Sequence, residues 1–402
     1  NAFAVIMEVL KENRRRETFM KQAVMYGAGN IGRGFIGKTL SESGYEVCFL
    51  DIVPEVIEAF NKGHEYHVKI VSNEGEHCDT VKNVLAVNAN TAEAVERIAA
   101  CDIMASAVGV NVLPYIAENI AKGLRLRKER GAAPLDIILA ENQLDADKLM
   151  RGFIYKYLDA AEKQWADSNL GLVEASVGRM VPPLSAEERA EDPLLIAVEP
   201  YSQLPVDSEA FKGEIPDLAG LVPYTPFAFY IRRKLFIHNM GHAICAYLGW
   251  GKGYEFIWQA IADEKILKTA RAAMDGVAAA LGNEYGVPQE ELTAHVRDLL
   301  ARFSNKALKD TTARVGADPI RKLRKDDRLV GAALYCIEHD ADVTQIVTGI
   351  VAALKFAPKG DKAAEAVQET LNKEGVDAVI EKYMGIAAAS PLGKLIAGAM
   401  NN

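Results

Sequence analysis

Three side chains suited to proton transfer and oxygen binding lie within nine residues of one another, in the segment KLFIHNMGH that runs from Lys234 through Asn239 to His242. A lysine acts as a general base near neutral pH when burial or nearby positive charge depresses its pKa. An amide can hold an oxygen on which negative charge develops. At the periodicity of an α-helix, the three residues span an arc of about 140° and an axial length of about 12 Å. That spread predicts a helix face that binds a chain of hydroxyl groups lying along it.

A glycine-rich segment lies between a strand-like apolar run and a stretch with helical spacing. It consists of Gly27, Ala28, Gly29, Asn30, Ile31 and Gly32. In a nucleotide-binding βαβ unit, the first glycine permits a tight turn, the second lets the backbone approach a pyrophosphate, and the third lets helix and strand pack closely. The N-terminus of the helix supplies free N–H groups to the phosphates. The segment therefore predicts a dinucleotide-binding loop.

An acidic residue, Asp51, follows the next predicted strand and lies 19 positions after Gly32. A carboxylate at this place accepts hydrogen bonds from the ribose hydroxyls and repels a 2′-phosphate. Asp51 therefore predicts NAD rather than NADP as the cofactor. Val108 and Gly109 follow a later strand, so we expect them at the carboxyl edge of the sheet, near the cofactor.

Short apolar runs alternate with helical patterns in the first half of the chain, as is typical of a parallel sheet with helices on both faces. We predict an α/β fold with an N-terminal Rossmann-type doubly wound sheet. A turn-forming segment at 72–75, between two strand-like pieces, predicts a hairpin inserted into that sheet. After Pro223 almost every segment has helical spacing, which predicts a mainly α-helical C-terminal domain. The helices predicted there include 254–281 and 289–303. The predicted strands are 22–26, 46–50, 102–107, 135–140, 169–178 and 193–203.

The chain divides into three parts in this interpretation. Residues 20–219 form the NAD-binding Rossmann-type domain, and residues 220–402 form the helical substrate and catalytic domain. Met20 begins the strand that leads into the glycine loop, as a start codon would. We therefore interpret residues 1–19 as a tag remnant or an upstream extension, with an amphipathic N-terminal helix as the alternative.

Composition limits the possible partners. The 402 residues carry a formal net charge of −9, which argues against nucleic acid because a phosphate backbone demands a basic face. No apolar run reaches the ~20 residues that span a membrane. The five cysteines are scattered without ligand spacing, which indicates a reducing cytoplasm and predicts no metal site. We expect a monomer or a weak homodimer.

The pattern K-x-x-x-x-N-x-x-H resembles the signature of the polyol-specific long-chain dehydrogenase/reductase family. The resemblance covers essentially all of residues 20–402. It extends to the segments MKQAVMYGAGNIGRGFIGKTL, AENQ, GRMVPP, RKLFIHNMGHA and RFSNKALKDTTARVG. It implies metal-independent hydride transfer between NAD(H) and a small phosphorylated polyol or ketose.

The resemblance also assigns roles. Lys234 would be the general base, and Asn239 with Asn142 would hold the developing alkoxide or carbonyl oxygen. His242 would orient substrate hydroxyls, whereas His238 faces elsewhere and is interpreted as structural. Asn142 could instead cap a helix beginning near Asp145.

Within the C-terminal domain, basic residues are densest in one patch. They are Arg314, Arg321, Lys322, Arg324 and Lys325. Arg314 and Lys322 match family positions that contact substrate, and arginine suits phosphate recognition. A solvated basic loop is the alternative interpretation for each.

The sequence departs from the family in three places. Relatives often carry an acidic residue just before the lysine, where this chain has Ile231, Arg232 and Arg233. Gly178-Arg179 replaces a common Asp-Arg, and Asn305-Lys306 replaces Asn-Pro. The first departure puts a carboxylate proton relay in doubt, and the second leaves no substrate carboxylate at position 178.

Other functions remain possible at this point. Tyr230-x-x-x-Lys234 formally matches a short-chain dehydrogenase, but the glycine spacing and the chain length do not. Enzymes related to 6-phosphogluconate or β-hydroxyacid dehydrogenases share a Rossmann domain and a catalytic lysine near an asparagine. Within the polyol family, free mannitol, hexuronates and arabinitol are alternative substrates. A catalytically inactive NAD(H) sensor is the non-enzyme alternative.

Overall fold

The computed structural model of the protein describes residues 20–141 and 145–401. These residues form two compact units. The first comprises the described residues up to Val71 together with Glu76–Phe227, and the second comprises Ser72–Gly75 and the chain from Ala228 onward. Residues 1–19, whose origin is interpreted above, lie outside the described part.

The strands lie in the first unit, apart from the turn at its hairpin. They are β1 Lys21–Tyr26, β2 Tyr45–Asp51, β3 Glu65–Ser72, β4 Gly75–Lys82, β5 Val84–Asn88, β6 Ile103–Ser106, β7 Leu135–Leu139, β8 Leu170–Glu174, β9 Ile196–Val198, β10 Leu204–Asp207 and β11 Leu221–Tyr224. Six of them form a parallel sheet in the order β5-β2-β1-β6-β7-β8. The order reverses between β1 and β6, and in such sheets ligands bind at the carboxyl ends of the strands beside this point. The predicted Rossmann-type fold is confirmed.

Helices cover both faces of this sheet. They are Gly32–Gly37, Lys38–Glu42, Pro54–Gly63, Ala92–Ala100, Leu113–Arg130, Ala146–Ile154, Ala160–Asn169 and Ala186–Glu191, with 3₁₀ turns at Val110–Val112 and Tyr155–Tyr157. One apolar core includes Phe35, Phe49 and Tyr66. The other core, on the opposite face, includes Ile98 and Ile116. Apolar side chains therefore alternate between two covered faces, which explains the near-continuous apolar runs of the strands.

The predicted hairpin is present, but its predicted insertion into the main sheet is wrong. β3 and β4 pair with each other and belong to a separate three-stranded sheet, β4-β3-β9. The place beside β2 is taken by β5, which pairs with it in parallel. Most of β4 is exposed, whereas Tyr66, Val68 and Ile70 of β3 are buried. The hairpin therefore covers one face of the domain instead of extending its sheet.

The second unit is helical, as predicted. Its helices are Ala228–Arg232, Arg233–Asn239, Met240–Gly251, Ile257–Ala262, Glu264–Tyr285, Gln289–Phe303, Thr312–Gly316, Pro319–Lys322, Val330–Glu338, Thr344–Leu354, Lys362–Glu374, Val376–Val379, Ile380–Met384 and Pro391–Met400, with a 3₁₀ turn at Lys306–Leu308. Gln289–Phe303 has the predicted bounds. The predicted helix 254–281 is two helices, because Asp263 caps the second one through its carboxylate.

Two helices contain π-helical turns at the segments that the sequence predicts to be functional. Gly32–Gly37 follows the glycine loop, and Arg233–Asn239 contains the candidate base. A π-helix is closed by hydrogen bonds between residues i and i+5, and such turns are rare and frequent at functional sites. In both places the backbone therefore departs from the α-helical spacing assumed from the sequence.

Candidate active site

The glycine loop has the geometry that a bound dinucleotide needs. Gly27 has a φ of +95°, and its N–H donates to the Leu50 carbonyl at 2.9 Å. A Cβ on Gly32 would lie 2.0 Å from the Gly27 carbonyl oxygen, so only glycine permits this approach of helix to loop. A Cβ on Gly29 would meet nothing within 4 Å. The loop is thus tightly packed at Gly27 and Gly32 and open at Gly29, where the backbone can approach a pyrophosphate.

Asp51 lies at the end of β2, as predicted, and its carboxylate shapes the loop. One oxygen accepts a hydrogen bond from the Ala28 N–H at 2.8 Å. The other accepts from the N–H groups of Ile52 at 2.7 Å and Val53 at 3.0 Å. Asp51 therefore fixes two segments that border the predicted ribose site, besides placing a negative charge there.

Val108 and Gly109 lie beside the loop, at the carboxyl end of β6. A Cβ on Gly27 would be 3.0 Å from Cγ1 of Val108, so the two residues are in contact. Both N–H groups, of Val108 at 3.1 Å and of Gly109 at 2.8 Å, donate to the Glu141 carboxylate. Glu141 is buried and also accepts from the Ser106 hydroxyl. Glu141 thus positions a turn that the sequence predicts to border the cofactor.

The helix that carries Lys234 and Asn239 is π-helical at these residues. At the α-helical periodicity, residues five apart point about 140° away from each other. A turn closed by i to i+5 hydrogen bonds is wider, so residues at this spacing come nearer to one face. The arc predicted from α-helical spacing is therefore wrong for this pair. The observed turn brings the candidate base and the candidate amide closer together in angle.

The surroundings of Lys234 favour its neutral form. The residue as a whole is only partly exposed. Burial, and then the positive charge of Arg328, lower the pKa of Lys234 from 10.5 to about 8. The Arg328 side chain is 12% exposed, and its Nε lies 2.7 Å from Oδ1 of Asp327. The two conditions that a lysine base needs, poor solvation and a nearby cation, are both met.

The His242 imidazole is largely buried within range of several positive charges. Its ring stacks on Phe303 with centroids 4.7 Å apart. Burial lowers the pKa of His242 well below its usual value, and Arg314, Arg328 and Lys322 act in the same direction. Oδ2 of Asp310 lies 3.4 Å from Nε2 of His242. Nε2 has no hydrogen-bond partner among residues 20–141 and 145–401, so a neutral imidazole is available to a hydroxyl group.

Arg314 and Lys322 are among the cations that act on His242. Arg314 is exposed and is ion-paired with Asp310. Lys322 is buried and donates to the Ala317 carbonyl, and burial followed by Arg328 lowers its pKa to about 8. Arg321 and Arg324 are exposed and lie against their own carboxylates. Their partners are Asp318 at 3.3 Å for Arg321 and Asp326 at 2.6 Å for Arg324.

Family comparisons agree with both units. The family model described as the mannitol dehydrogenase Rossmann domain matches residues 21–220, and the mannitol dehydrogenase C-terminal domain matches residues 227–399. Together they cover nearly the whole chain. The chain belongs to the mannitol dehydrogenase family. The family predicted from the glycine loop and the Lys/Asn/His segment is thereby confirmed, and the protein is an oxidoreductase of that family.

Two solved structures share the fold of this mannitol dehydrogenase family member. One is the ternary complex of Pseudomonas fluorescens mannitol 2-dehydrogenase with NAD and D-mannitol, with a TM-score of 0.74 at 16% identity over 96% of this chain and 92% of that chain. The other is D-sorbitol dehydrogenase in substrate-free form, with a TM-score of 0.80 at 17% identity over 96% and 93%. At this identity the likeness concerns the fold alone.

Sequence reasoning missed three residues of this mannitol dehydrogenase family site. Asp310, Arg328 and Glu141 act through other residues, and none belongs to the pattern that drew attention to Lys234. Glu141 and Asp310 could have been noticed only because they lie inside the segments AENQ and RFSNKALKDTTARVG, which resemble the family. Asn142 lies outside the described residues, so its proposed role stays a prediction.

Among the residues that the structure describes, no group of three or more His, Cys, Asp or Glu side chains is arranged to hold a metal ion. In the same residues, no helix is both long enough and apolar enough to cross a membrane. His238 is buried beside Phe303, with ring centroids 5.7 Å apart, in keeping with a structural role.

Proposed function

We propose that this protein interconverts D-mannitol 1-phosphate and D-fructose 6-phosphate with NAD(H), as the mannitol-1-phosphate 5-dehydrogenase activity requires. The N-terminal run MKQAVMYGAGNIGRGFIGKTL and the Lys/Asn/His segment together resemble that enzyme. The observation that carries the proposal is that the positive charges of Arg314, Lys322 and Arg328 all act on the neutral imidazole of His242. A free polyol has no charge for three cations to bind, whereas a phosphorylated one has two.

NAD fits the first unit. Asp51 would accept hydrogen bonds from the adenosine ribose, and the open backbone at Gly29 would receive the pyrophosphate. The free N–H groups at the start of the helix that begins at Asn30 would complete the phosphate site. When bound, the nicotinamide accepts or returns a hydride. The negative charge of Asp51 acts on the positively charged Arg33 near this loop. The same carboxylate disfavours a 2′-phosphate on the ribose.

Proton transfer would fall to Lys234. In the oxidation direction, neutral Nζ takes the proton of the alcohol while the C–H bond gives up its hydride, leaving a ketone and a protonated lysine. With a pKa of about 8, the neutral fraction at pH 7 is more than about a hundredfold that of an ordinary lysine. Asn239, with Asn142, would donate to the oxygen as charge develops on it, which lowers the barrier. His242 would hydrogen-bond a neighbouring hydroxyl through Nε2.

A substrate panel tests the proposal. Purified enzyme is mixed with NADH or NADPH and with fructose 6-phosphate, free fructose or a hexuronate, and absorbance at the nicotinamide band is followed. We expect NADH oxidation with fructose 6-phosphate and a much lower kcat/KM with free fructose. Faster turnover of a free ketose or a hexuronate would overturn the substrate assignment. Tight NADH binding without turnover of any of these substrates would favour the alternative of a catalytically inactive NAD(H) sensor.

A further inference from the structure

Arg179, which the proposed function does not use, is one of the most buried cations of the first unit. It is 8% exposed. Its Nη1 donates to the Gly34 carbonyl at 3.0 Å, and its Nε donates to the Glu199 carbonyl at 2.9 Å. The guanidinium also lies over the Phe35 ring, 5.3 Å from its centroid. Two of these three contacts are to the π-helical turn that follows the glycine loop.

A second side chain reaches the same turn from the three-stranded sheet. The Tyr66 hydroxyl, on β3, donates to the Arg33 carbonyl at 2.7 Å. Adjacent carbonyls of the π-helical turn, those of Arg33 and Gly34, thus each receive a side-chain donor. β9 also packs against this turn, because a Cβ on Gly34 would lie 2.7 Å from Cγ1 of Val198. The small sheet and the segment after β8 together clamp one short piece of helix.

Burying the Arg179 guanidinium costs free energy that an uncharged side chain at the same place would not cost. Burial disfavours the charged form of the guanidinium and lowers the pKa of Arg179, whereas the negative charge of Glu199 raises it. A buried arginine is tolerated when its donors are satisfied. An apolar side chain of similar length would fill the space without that cost. It would leave the Gly34 carbonyl without its donor, so what the arginine adds is a fixed position for that carbonyl.

We propose that Arg179 is a positioning residue for the dinucleotide: by holding the Gly34 carbonyl, it fixes the π-helical turn and thereby the phosphate loop joined to it. The Gly32 backbone lies against the Gly27 carbonyl with no room for a methyl group. A shift of the turn is therefore passed directly to the loop. Tyr66 supports the same turn at the preceding carbonyl. The inference rests on the proposed function only in taking NAD(H) as the ligand.

The chain offers a matched control at the other edge of the sheet. Arg127 is 3% exposed and also donates to backbone carbonyls, among them those of Cys101 at 2.7 Å and Ala133 at 2.8 Å. These carbonyls precede β6 and β7, so they lie at the amino ends of the strands, away from the phosphate loop. Arg127→Met therefore removes a buried guanidinium from the same unit without touching the turn.

NADH binding to Arg179→Met, Arg127→Met and the parent protein is measured by nicotinamide fluorescence, without any polyol or sugar. We expect both variants to lose thermal stability. Only Arg179→Met should bind NADH about tenfold more weakly, a size typical of coupling through intervening residues. Arg179→Lys should recover part of the affinity, since one amine can donate to one of the two carbonyls.

Three results would overturn the proposal. One is parent-like NADH affinity in folded Arg179→Met, and another is an equal loss of affinity in Arg127→Met. If Arg179→Met does not fold, Tyr66→Phe removes a single hydroxyl from the same turn and should weaken NADH binding about threefold; unchanged affinity there is the third. Failure of the parent to turn over fructose 6-phosphate would sink the proposed function and leave this comparison intact.

Discussion

Nε2 of His242 lies 3.4 Å from Oδ2 of Asp310. The other oxygen of this carboxylate receives the guanidinium of Arg314. A single buried carboxylate therefore joins the imidazole predicted to orient hydroxyls and the arginine predicted to hold phosphate. Because Arg314 shares the negative charge of Asp310, the carboxylate lies close to the imidazole without forcing it to take up a proton.

The pKa of Lys234 sets the pH dependence of the reaction. Polyol oxidation needs the neutral amine, so kcat/KM should rise with pH and level off above about 8, and ketose reduction should fall over the same range. Lys234→Ala should lower kcat by at least about a hundredfold and remove this dependence. Steady-state rates from pH 6 to 10 and NADH titrations check both points. Equal losses of turnover and NADH affinity in Lys234→Ala would contradict the assigned role.

Arg328 should act through its charge. Arg328→Gln removes a cation that lowers the pKa of Lys234, so the rising limb of the oxidation profile should move to higher pH. At pH 7 the oxidation rate should fall about threefold, with partial recovery at higher pH. Arg324→Gln is the control, because Arg324 is exposed and paired with Asp326. A profile that stays in place for Arg328→Gln would remove Arg328 from the electrostatic account.

Arg314 and Lys322 should discriminate phosphorylated from free substrates. Arg314→Gln and Lys322→Met should each raise the KM for fructose 6-phosphate about tenfold or more and leave the weak activity on free fructose nearly unchanged. Arg321→Gln, a change at an exposed arginine paired with Asp318, should alter neither value. Kinetics with the two ketoses side by side give the ratio. Equal losses on both would assign these residues to hydroxyl or structural contacts.

Alanine substitutions at two glycines of the phosphate loop should affect different properties, the stability at Gly32 and the NADH affinity at Gly29. Gly32→Ala places a methyl group 2.0 Å from the Gly27 carbonyl oxygen, so unfolding should become easier by about 1–3 kcal/mol or more. Gly29→Ala meets nothing within 4 Å, so its thermal midpoint should be close to that of the parent. Its NADH affinity should nevertheless fall about tenfold, because the methyl group takes space needed by the pyrophosphate. Melting curves and NADH titrations of the pair decide the matter, and a stable, tight-binding Gly32→Ala would contradict the packing argument.

The fold could be predicted from the sequence because its signals are local. Apolar runs of strand length, glycine spacing and helical periodicity each depend on neighbouring residues, and they placed β1, β2 and Gln289–Phe303 correctly. The hairpin at β3 and β4 was recognised but assigned to the wrong sheet. Its partner, β9, lies more than a hundred residues away in sequence, and no local pattern specifies such a pairing.

The candidate site was predictable as a set of reacting groups but not as a geometry. Lys234 and His242 could be predicted because their residue types perform chemistry directly, and Arg314 and Lys322 because they match family positions. Their roles stay predictions. The residues that tune or hold them were missed, since a carboxylate such as Asp310 has no distinguishing spacing. Side-chain pairing across the fold decides which of many charges matters. The exposed Arg321 and Arg324 beside Lys322 illustrate this, because the density of basic residues in the sequence did not show which cations act on His242.

The wide turn at Arg233–Asn239 has a consequence for how this helix tolerates change in length. A chain shorter by one residue between Lys234 and Asn239 could close the same turn with ordinary α-helical bonds and would look better formed. The base and the amide would then be four residues apart and would still share one face of the helix. A change that makes the segment α-helical at its full length would instead point them about 140° apart. An evolving or engineered relative can therefore lose the wide turn only together with the residue that the turn accommodates.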